Sequence, residues 1–190
     1  STTCATAEGE IRNVSPTESA DHHCYPVLDE DGNPGPPGLR GRIGAGAKAA
    51  IRGSDPVIFL EHKGLYRQSY AATPEPDEDY LVPIGKGVIR REGIDATVVT
   101  YGALVQKSLE AARLLSKEGF EIEVIDIRTI APLDKELILD SVKKTNKVLV
   151  THEDSQFQGF GAEIAAQIAE FSFEHLDAPV QRLGGKNIPI

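Results

Sequence analysis

The sequence has little of several things, and each shortage excludes something. No uninterrupted apolar run approaches the roughly 18 to 20 residues that a bilayer-spanning helix needs, so no membrane partner is expected. The first 30 residues hold acids and prolines where a secretory signal would carry a basic and then an apolar stretch. A bacterial-type cytoplasmic location is therefore expected, with a mitochondrial one left open. Basic residues are in deficit: Lys+Arg 20 against Asp+Glu 29 gives a net charge of -9, which argues against nucleic acid as a partner. Two cysteines, Cys4 and Cys24, can pair with each other but cannot make a disulfide framework. With His22 and His23 they supply zinc-type ligands, yet no second CxxC-like pair completes a site, and no metal site is assigned. The acidic run from Asp29 begins like a calcium loop but has Arg40 where a bidentate Glu is required, so it reads as a turn. There is no GxGxxG, P-loop, nucleophile elbow, internal repeat or low-complexity tract, and local motifs assign no catalytic residue.

What is present is a globular composition, 40% hydrophobic and 26% charged, with its regularity concentrated in the second half. Residues 1–38 lack apolar periodicity and end in a Pro/Gly cluster, which predicts an irregular leader. Residues 39–70 offer a helix, with Leu39, Ile43, Ala47 and Ile51 at helical spacing, and then a buried strand, Val57–Leu60. Residues 71–84 are acidic and proline-punctuated, and are read as a linker.

From 85 to 190 the pattern is strand, strand, helix, strand, helix, strand, helix, strand. Residues 85–93, GKGVIRREG, read as an amphipathic strand with a turn, and Ala96–Thr100 is β-branched and apolar. Val105, Leu109, Ala112 and Leu115/Ser116 share a helix face that stops at Gly119. Phe120, Ile122 and Val124 alternate with acids as in a half-buried strand. Asp134 is placed as the N-cap of a helix carrying Leu137, Ile138 and Val142. Lys147–Val150 is another buried strand, with 151–161 as the loop after it; a helix to Phe171 and a short strand near 179–183 follow. Such spacing is the grammar of βαβ units and predicts a three-layer α/β/α domain with a mostly parallel sheet.

In such sheets ligands meet the carboxyl ends of strands. Two loops qualify. Glu61, His62, Lys63, Tyr66 and Arg67 follow the first apolar run and could hold an oxo-acid carboxylate or a phosphate; the alternative is a solvated, salt-bridged loop. His152 follows the run KVLV, with Gly159-Phe160-Gly161 opening the next helix. There the histidine could serve as an acid or base beside an anion site, or the glycines could simply allow close packing.

The runs PVIFLEHKGLYR (56–67), VVTYGALVQKSLEAARLL (98–115), EVIDIRTIAPLD (123–134), VLVTHEDSQFQGFGAEIAA (148–166) and LDAPVQRLGGKNIPI (176–190) resemble the beta subunit of the thiamine-diphosphate-dependent 2-oxo acid dehydrogenases, pyruvate and branched-chain type. The resemblance implies a remnant of a pyrimidine-binding domain in 39–70 and a transketolase C-terminal-like domain in 85–190. It implies thiamine diphosphate with Mg²⁺ in the complete enzyme, and as partners the alpha subunit, a second beta chain and the dihydrolipoyl acyltransferase core. The family's ring-activating glutamate, its active-site histidine region and its GDG…N motif match no segment here, so no cofactor is expected for this chain alone. Family members also continue past the last residues, Ile188 to Ile190. The role implied is subunit-interface and assembly surface, with Ile130, Leu133, Phe157 and Phe160 as candidate interface residues. The alternatives are a fragment of a related transketolase-type or acetoin-cleaving enzyme, or a non-enzymatic interaction module.

Overall fold

The computed structural model describes residues 2–5, 11–14, 38–68 and 79–188, of which 2–5, 11–14, 38–44, 66 and 67 are described as backbone alone. The chain divides into two compact units, Ser1–Ile84 and Gly85–Ile190.

In the first unit, β1 (Thr2–Ala5) and β2 (Ile11–Val14) pair antiparallel, Thr2 opposite Val14 and Ala5 opposite Ile11. This short ladder lies within the leader expected to be irregular. The β-branched Thr2, Thr3, Ile11 and Val14 suit a ladder, although four residues a side carry no helical or strand periodicity long enough to see. The remainder of the leader, residues 69 and 70, and 71–78 of the linker lie outside the described residues. Helix α1 (Gly38–Arg52) forms as its spacing predicts and ends where the Gly53 N–H donates to Ala49 O at 3.2 Å. The strand expected at Val57–Leu60 does not form. Ile58 is 88% exposed and Leu60 75%, and the segment runs extended into a 3₁₀ turn at Lys63–Arg67. A single apolar strand needs neighbours to satisfy its backbone, and none pairs with it among the described residues.

The second unit is a five-stranded sheet of order β3–β5–β4–β6–β7, built from β3 (Val88–Arg91), β4 (Ala96–Thr100), β5 (Ile122–Asp126), β6 (Val148–Ser155) and β7 (Gln181–Gly185). β3 is antiparallel to β5 and the other pairs are parallel, Thr97 facing Glu123 on one side of β4 and Val148 on the other. Helix α2 (Leu104–Ser116) joins β4 to β5, α3 (Lys135–Thr145) joins β5 to β6, and α4 (Gly161–Ser172) joins β6 to β7. One face buries Val105, Leu109 and Ala112 of α2 on Ile122 and Val124. The other buries Ile138 and Val142 of α3 and Ile164 and Ile168 of α4 on Val99, Ile125, Ile127, Val148 and Val150. Two strand readings need correction. β5 is buried on both faces: Glu123 is fully buried and Phe120 lies outside, 51% exposed. β6 continues through Thr151-His152-Glu153-Asp154-Ser155, because β7 pairs with it there and supplies the backbone partners that polar composition alone would not suggest.

Asp134 fixes the start of α3 and more. Its Oδ1 accepts the Leu137 N–H at 3.5 Å, its Oδ2 accepts the Gly87 N–H at 3.1 Å just before β3, and the Lys86 ammonium lies 3.6 Å away. Asp134→Ala should therefore cost more than an ordinary cap, about 2 kcal/mol by urea denaturation, because a second backbone donor loses its acceptor. Asp134→Asn keeps one acceptor oxygen and sets an amide N–H₂ where the other stood, so it should cost about half as much as alanine; a loss equal to that of alanine would show that only the charge matters.

Candidate functional site

The order β5–β4–β6 fixes where a site can lie. The chain leaves β4 over one face through α2 and leaves β6 over the other through α4, so a crevice opens between the carboxyl ends of β4 and β6. Tyr101 ends the first strand, and His152 stands on the second, on the face shared with Val148 and Val150. The phenol and imidazole rings stack at 6.2 Å with 12° between their planes, and Phe160 meets Tyr101 edge-on at 6.5 Å.

His152 is 2% exposed, and neither ring nitrogen has a hydrogen-bond partner among the described residues. The turn that opens α4 wraps it. A Cβ on Gly159 would stand 2.6 Å from the imidazole Cε1, and one on Gly161 would overlap Cδ2 and Nε2. Of the two roles the glycines could play, close packing is the one the geometry fits. Tyr101 is half-buried, and its hydroxyl is held above its ordinary range first by burial and then by the Asp154 carboxylate. It is a proton donor throughout the neutral range.

The other expected residues distribute differently. Glu61, His62 and Lys63 are exposed and belong to the first unit, and the side chains of Tyr66 and Arg67 lie outside the described set. His152 belongs to the second unit. Leu133 and Phe160 pack against the core, Ile130 is half-buried, and Phe157 stands 61% exposed on the loop after β6. Sequence reasoning missed Tyr101. The available signal was its place before Gly102 at the carboxyl end of β4. It also missed the pairing of buried Glu123 with Lys144, which joins β5 to α3 at the opposite end of the sheet. Among the described residues no group of three or more His, Cys, Asp or Glu could hold a metal ion, and no helix is long and apolar enough to cross a membrane.

Residues 85–190 match the family described as transketolase, C-terminal domain. Over 144 residues the chain is 45% identical to the mitochondrial pyruvate dehydrogenase E1 component subunit beta of Dictyostelium discoideum, covering 75% of this chain and 40% of that protein. Over 142 residues it is 47% identical to the 2-oxoisovalerate dehydrogenase subunit beta of Bacillus subtilis, covering 75% and 43%. The chain thus spans about two fifths of the length of these curated relatives. Among solved structures it is similar to a chain described as a split gene transketolase, inactive beta4 tetramer, with TM-score 0.53 and 31% identity, covering 62% of this chain and 38% of that one.

Proposed function

The chain belongs, through residues 85–190, to the transketolase C-terminal domain family, and from that membership we propose that it serves as the C-terminal part of a 2-oxo acid dehydrogenase beta subunit. The observation that carries this reading is the identity of 45–47% to the beta subunits of a pyruvate and a 2-oxoisovalerate dehydrogenase. The 31% identity to the split gene transketolase chain makes a transketolase-type role the weaker reading. In the reaction proposed for the whole enzyme a 2-oxo acid is decarboxylated and its acyl group passes to a lipoyl arm. Thiamine diphosphate would supply the electron sink for that step.

The residues described here do not fit that cofactor. The glycine turn at 159–161, the feature closest to a phosphate cradle, is already filled by the His152 imidazole, and no carboxylate group is arranged to hold Mg²⁺ among the described residues. We therefore assign this chain no catalytic step and give it the part of subunit interface and assembly surface. The partners proposed are an alpha subunit, a second beta chain and the acyltransferase core, and the setting is a bacterial-type cytoplasm or a mitochondrial matrix.

Two measurements test this reading. Size-exclusion chromatography with light scattering, on the chain mixed with an alpha subunit and the acyltransferase, should show a stable complex. Calorimetric titration of the chain alone with thiamine diphosphate and Mg²⁺ should show no saturable heat. Saturable, Mg²⁺-dependent binding at micromolar ligand would return a catalytic role to this chain.

A further inference from the structure

Among the described residues three that are not glycine hold a left-handed backbone: Arg128 at φ 56°, Asn146 at φ 60° and Gln158 at φ 60°. Asn146 is accounted for by its position, since it ends α3 with its N–H donating to Val142 O at 2.8 Å. Arg128 and Gln158 end no helix, and side chains of their length disfavour this conformation. Residues kept in such a backbone point to what their side chains do.

Arg128 follows β5 and Gln158 follows β6, and Tyr101 closes β4 between them. The chain leaves β5 and β6 over one face of the sheet and β4 over the other, so a crevice opens on each side of Tyr101. The Ile127 N–H donates to Thr100 O at 3.0 Å, and Arg128 and Tyr101 each stand one residue beyond that bond, on neighbours about 4.8 Å apart. Gln158 is brought in by the next residue: a Cβ on Gly159 would stand 2.6 Å from the His152 imidazole, and that ring stacks on Tyr101. The end of β4 is open, since a Cβ on Gly102 would meet no described atom within 4 Å.

The groups gathered there are donors. The half-buried Arg128 guanidinium, the Tyr101 hydroxyl and the exposed Gln158 amide make no hydrogen bond or ion pair among the described residues. Two carboxylates stand near, and each accepts a backbone N–H: Asp126 from Arg128 at 3.2 Å, and Asp154 from Ser155 at 2.7 Å. Neither takes the guanidinium. The ligand that suits such a set is an oxyanion, all acceptor, with an edge for the planar arginine fork. Its charge is bounded by the same two carboxylates and by the net charge of -9: a phosphate dianion meets their repulsion twice over, a monocarboxylate once. Phe160, edge-on to Tyr101 at 6.5 Å, and Phe157, 61% exposed, add apolar surface.

We infer that Arg128, Tyr101 and Gln158 form a binding site for a small monocarboxylate with an apolar tail, its carboxylate on the guanidinium and phenol and its tail against Phe157 and Phe160. The guanidinium and the phenol are half-buried, so the ligand enters the crevice and does not lie across it as a protein surface would. The site concerns a small molecule and stands or falls apart from the assembly reading.

Ligand-observed NMR titration of the full chain tests this, with butanoate, acetate and inorganic phosphate as probes and Arg128→Gly and Arg128→Lys as variants. Glycine suits the left-handed backbone, so Arg128→Gly should keep the wild-type melting temperature and lose only the guanidinium. Butanoate should bind saturably in the millimolar range, acetate more weakly for want of a tail, and phosphate more weakly than butanoate. The butanoate dissociation constant should rise about tenfold or more in Arg128→Gly, the loss of one charged hydrogen-bond partner, and by an intermediate factor in Arg128→Lys. Butanoate binding undiminished in Arg128→Gly would overturn the site, as would no saturable binding by the wild type at tens of millimolar. Phosphate binding more tightly than butanoate would overturn the monocarboxylate as its ligand. None of these outcomes bears on whether the chain joins an alpha subunit, which the chromatography above decides by itself.

Discussion

Lys144→Met should lower the stability of the chain by about 3 kcal/mol at neutral pH, because it strips the counter-charge from a carboxylate that has nowhere else to turn. Glu123 is fully buried on the α3 face of β5; its Oε2 meets the Lys144 ammonium, and its Oε1 has no partner among the described residues. The same ammonium reaches Glu92 Oε2 at 2.9 Å. Hydrogen bonds to Glu123 first and Glu92 second hold the Lys144 ammonium above its ordinary range, and the Lys144 hydrogen bond holds the Glu92 carboxyl below its own. Breaking a buried pair by removing one partner typically costs about 3–5 kcal/mol. The Lys144 side chain is 37% exposed, so water can reach part of the gap, which brings the expectation to the lower end of that range.

Adding Glu123→Gln to Lys144→Met should restore most of the loss at pH 7, because no unpaired charge is then left buried. The pH dependence follows with a definite sign. In the wild type, Glu92 and Glu121 are held low. Lys144 is the first cause for Glu92; for Glu121 it is the Ser116 hydroxyl, followed by the Arg91 guanidinium. The stability they contribute is complete above the ordinary carboxylate range and is lost as pH falls through their folded values. The part owed to Lys144 is complete below its ordinary value of 10.5 and is lost only as pH rises through its raised one. Urea denaturation across pH with an unchanged m-value would report this. A single variant within about 0.5 kcal/mol of wild type, the span of an ordinary surface substitution, would sink the account.

The same buried carboxylate shows how far the sequence could be read. Ala96–Thr100 and the Asp134 cap were legible because each rests on a local rule, β-branched apolar residues for one and a side-chain acceptor ahead of a helix for the other. In the run Phe120 to Val124, alternation put the acids outside, whereas the strand lies between β3 and β4 with helices on both faces. Burial of Glu123 depended on a lysine 21 positions later, which no window on the strand contains. The polar end of β6 was lost to a loop for a related reason: its pairing partner, β7, arrives about thirty residues on. Val57–Leu60 failed the other way, as a good strand sequence with no strand to pair with among the described residues. At the crevice His152 stood out by residue type. Tyr101, Arg128 and Gln158 did not, since their interest lies in which strands are neighbours and in two backbone angles.

Gly161→Ala should destabilise the domain by about 2 kcal/mol, the opposite of what its place in a helix suggests. Gly161 is the first residue of α4, where replacing glycine by alanine would ordinarily gain up to about 1 kcal/mol. Here the added methyl would overlap the imidazole of His152 and stand 3.2 Å from Val150 Cγ1. The ring is 2% exposed and lies against Tyr101, so it has little room to retreat, and overpacking of a closed site costs about 1–3 kcal/mol. The two effects differ in sign, and thermal or urea denaturation decides between them. The cause can be isolated by a cycle with His152→Ala. That change costs packing but no hydrogen bond, because neither ring nitrogen has a partner among the described residues. In the Gly161→Ala background it also makes room for the methyl, so the double variant should be more stable than the sum of the two losses predicts, by about 1 kcal/mol or more. A strictly additive cycle would show that the glycine serves the path of the backbone and not the histidine beneath it.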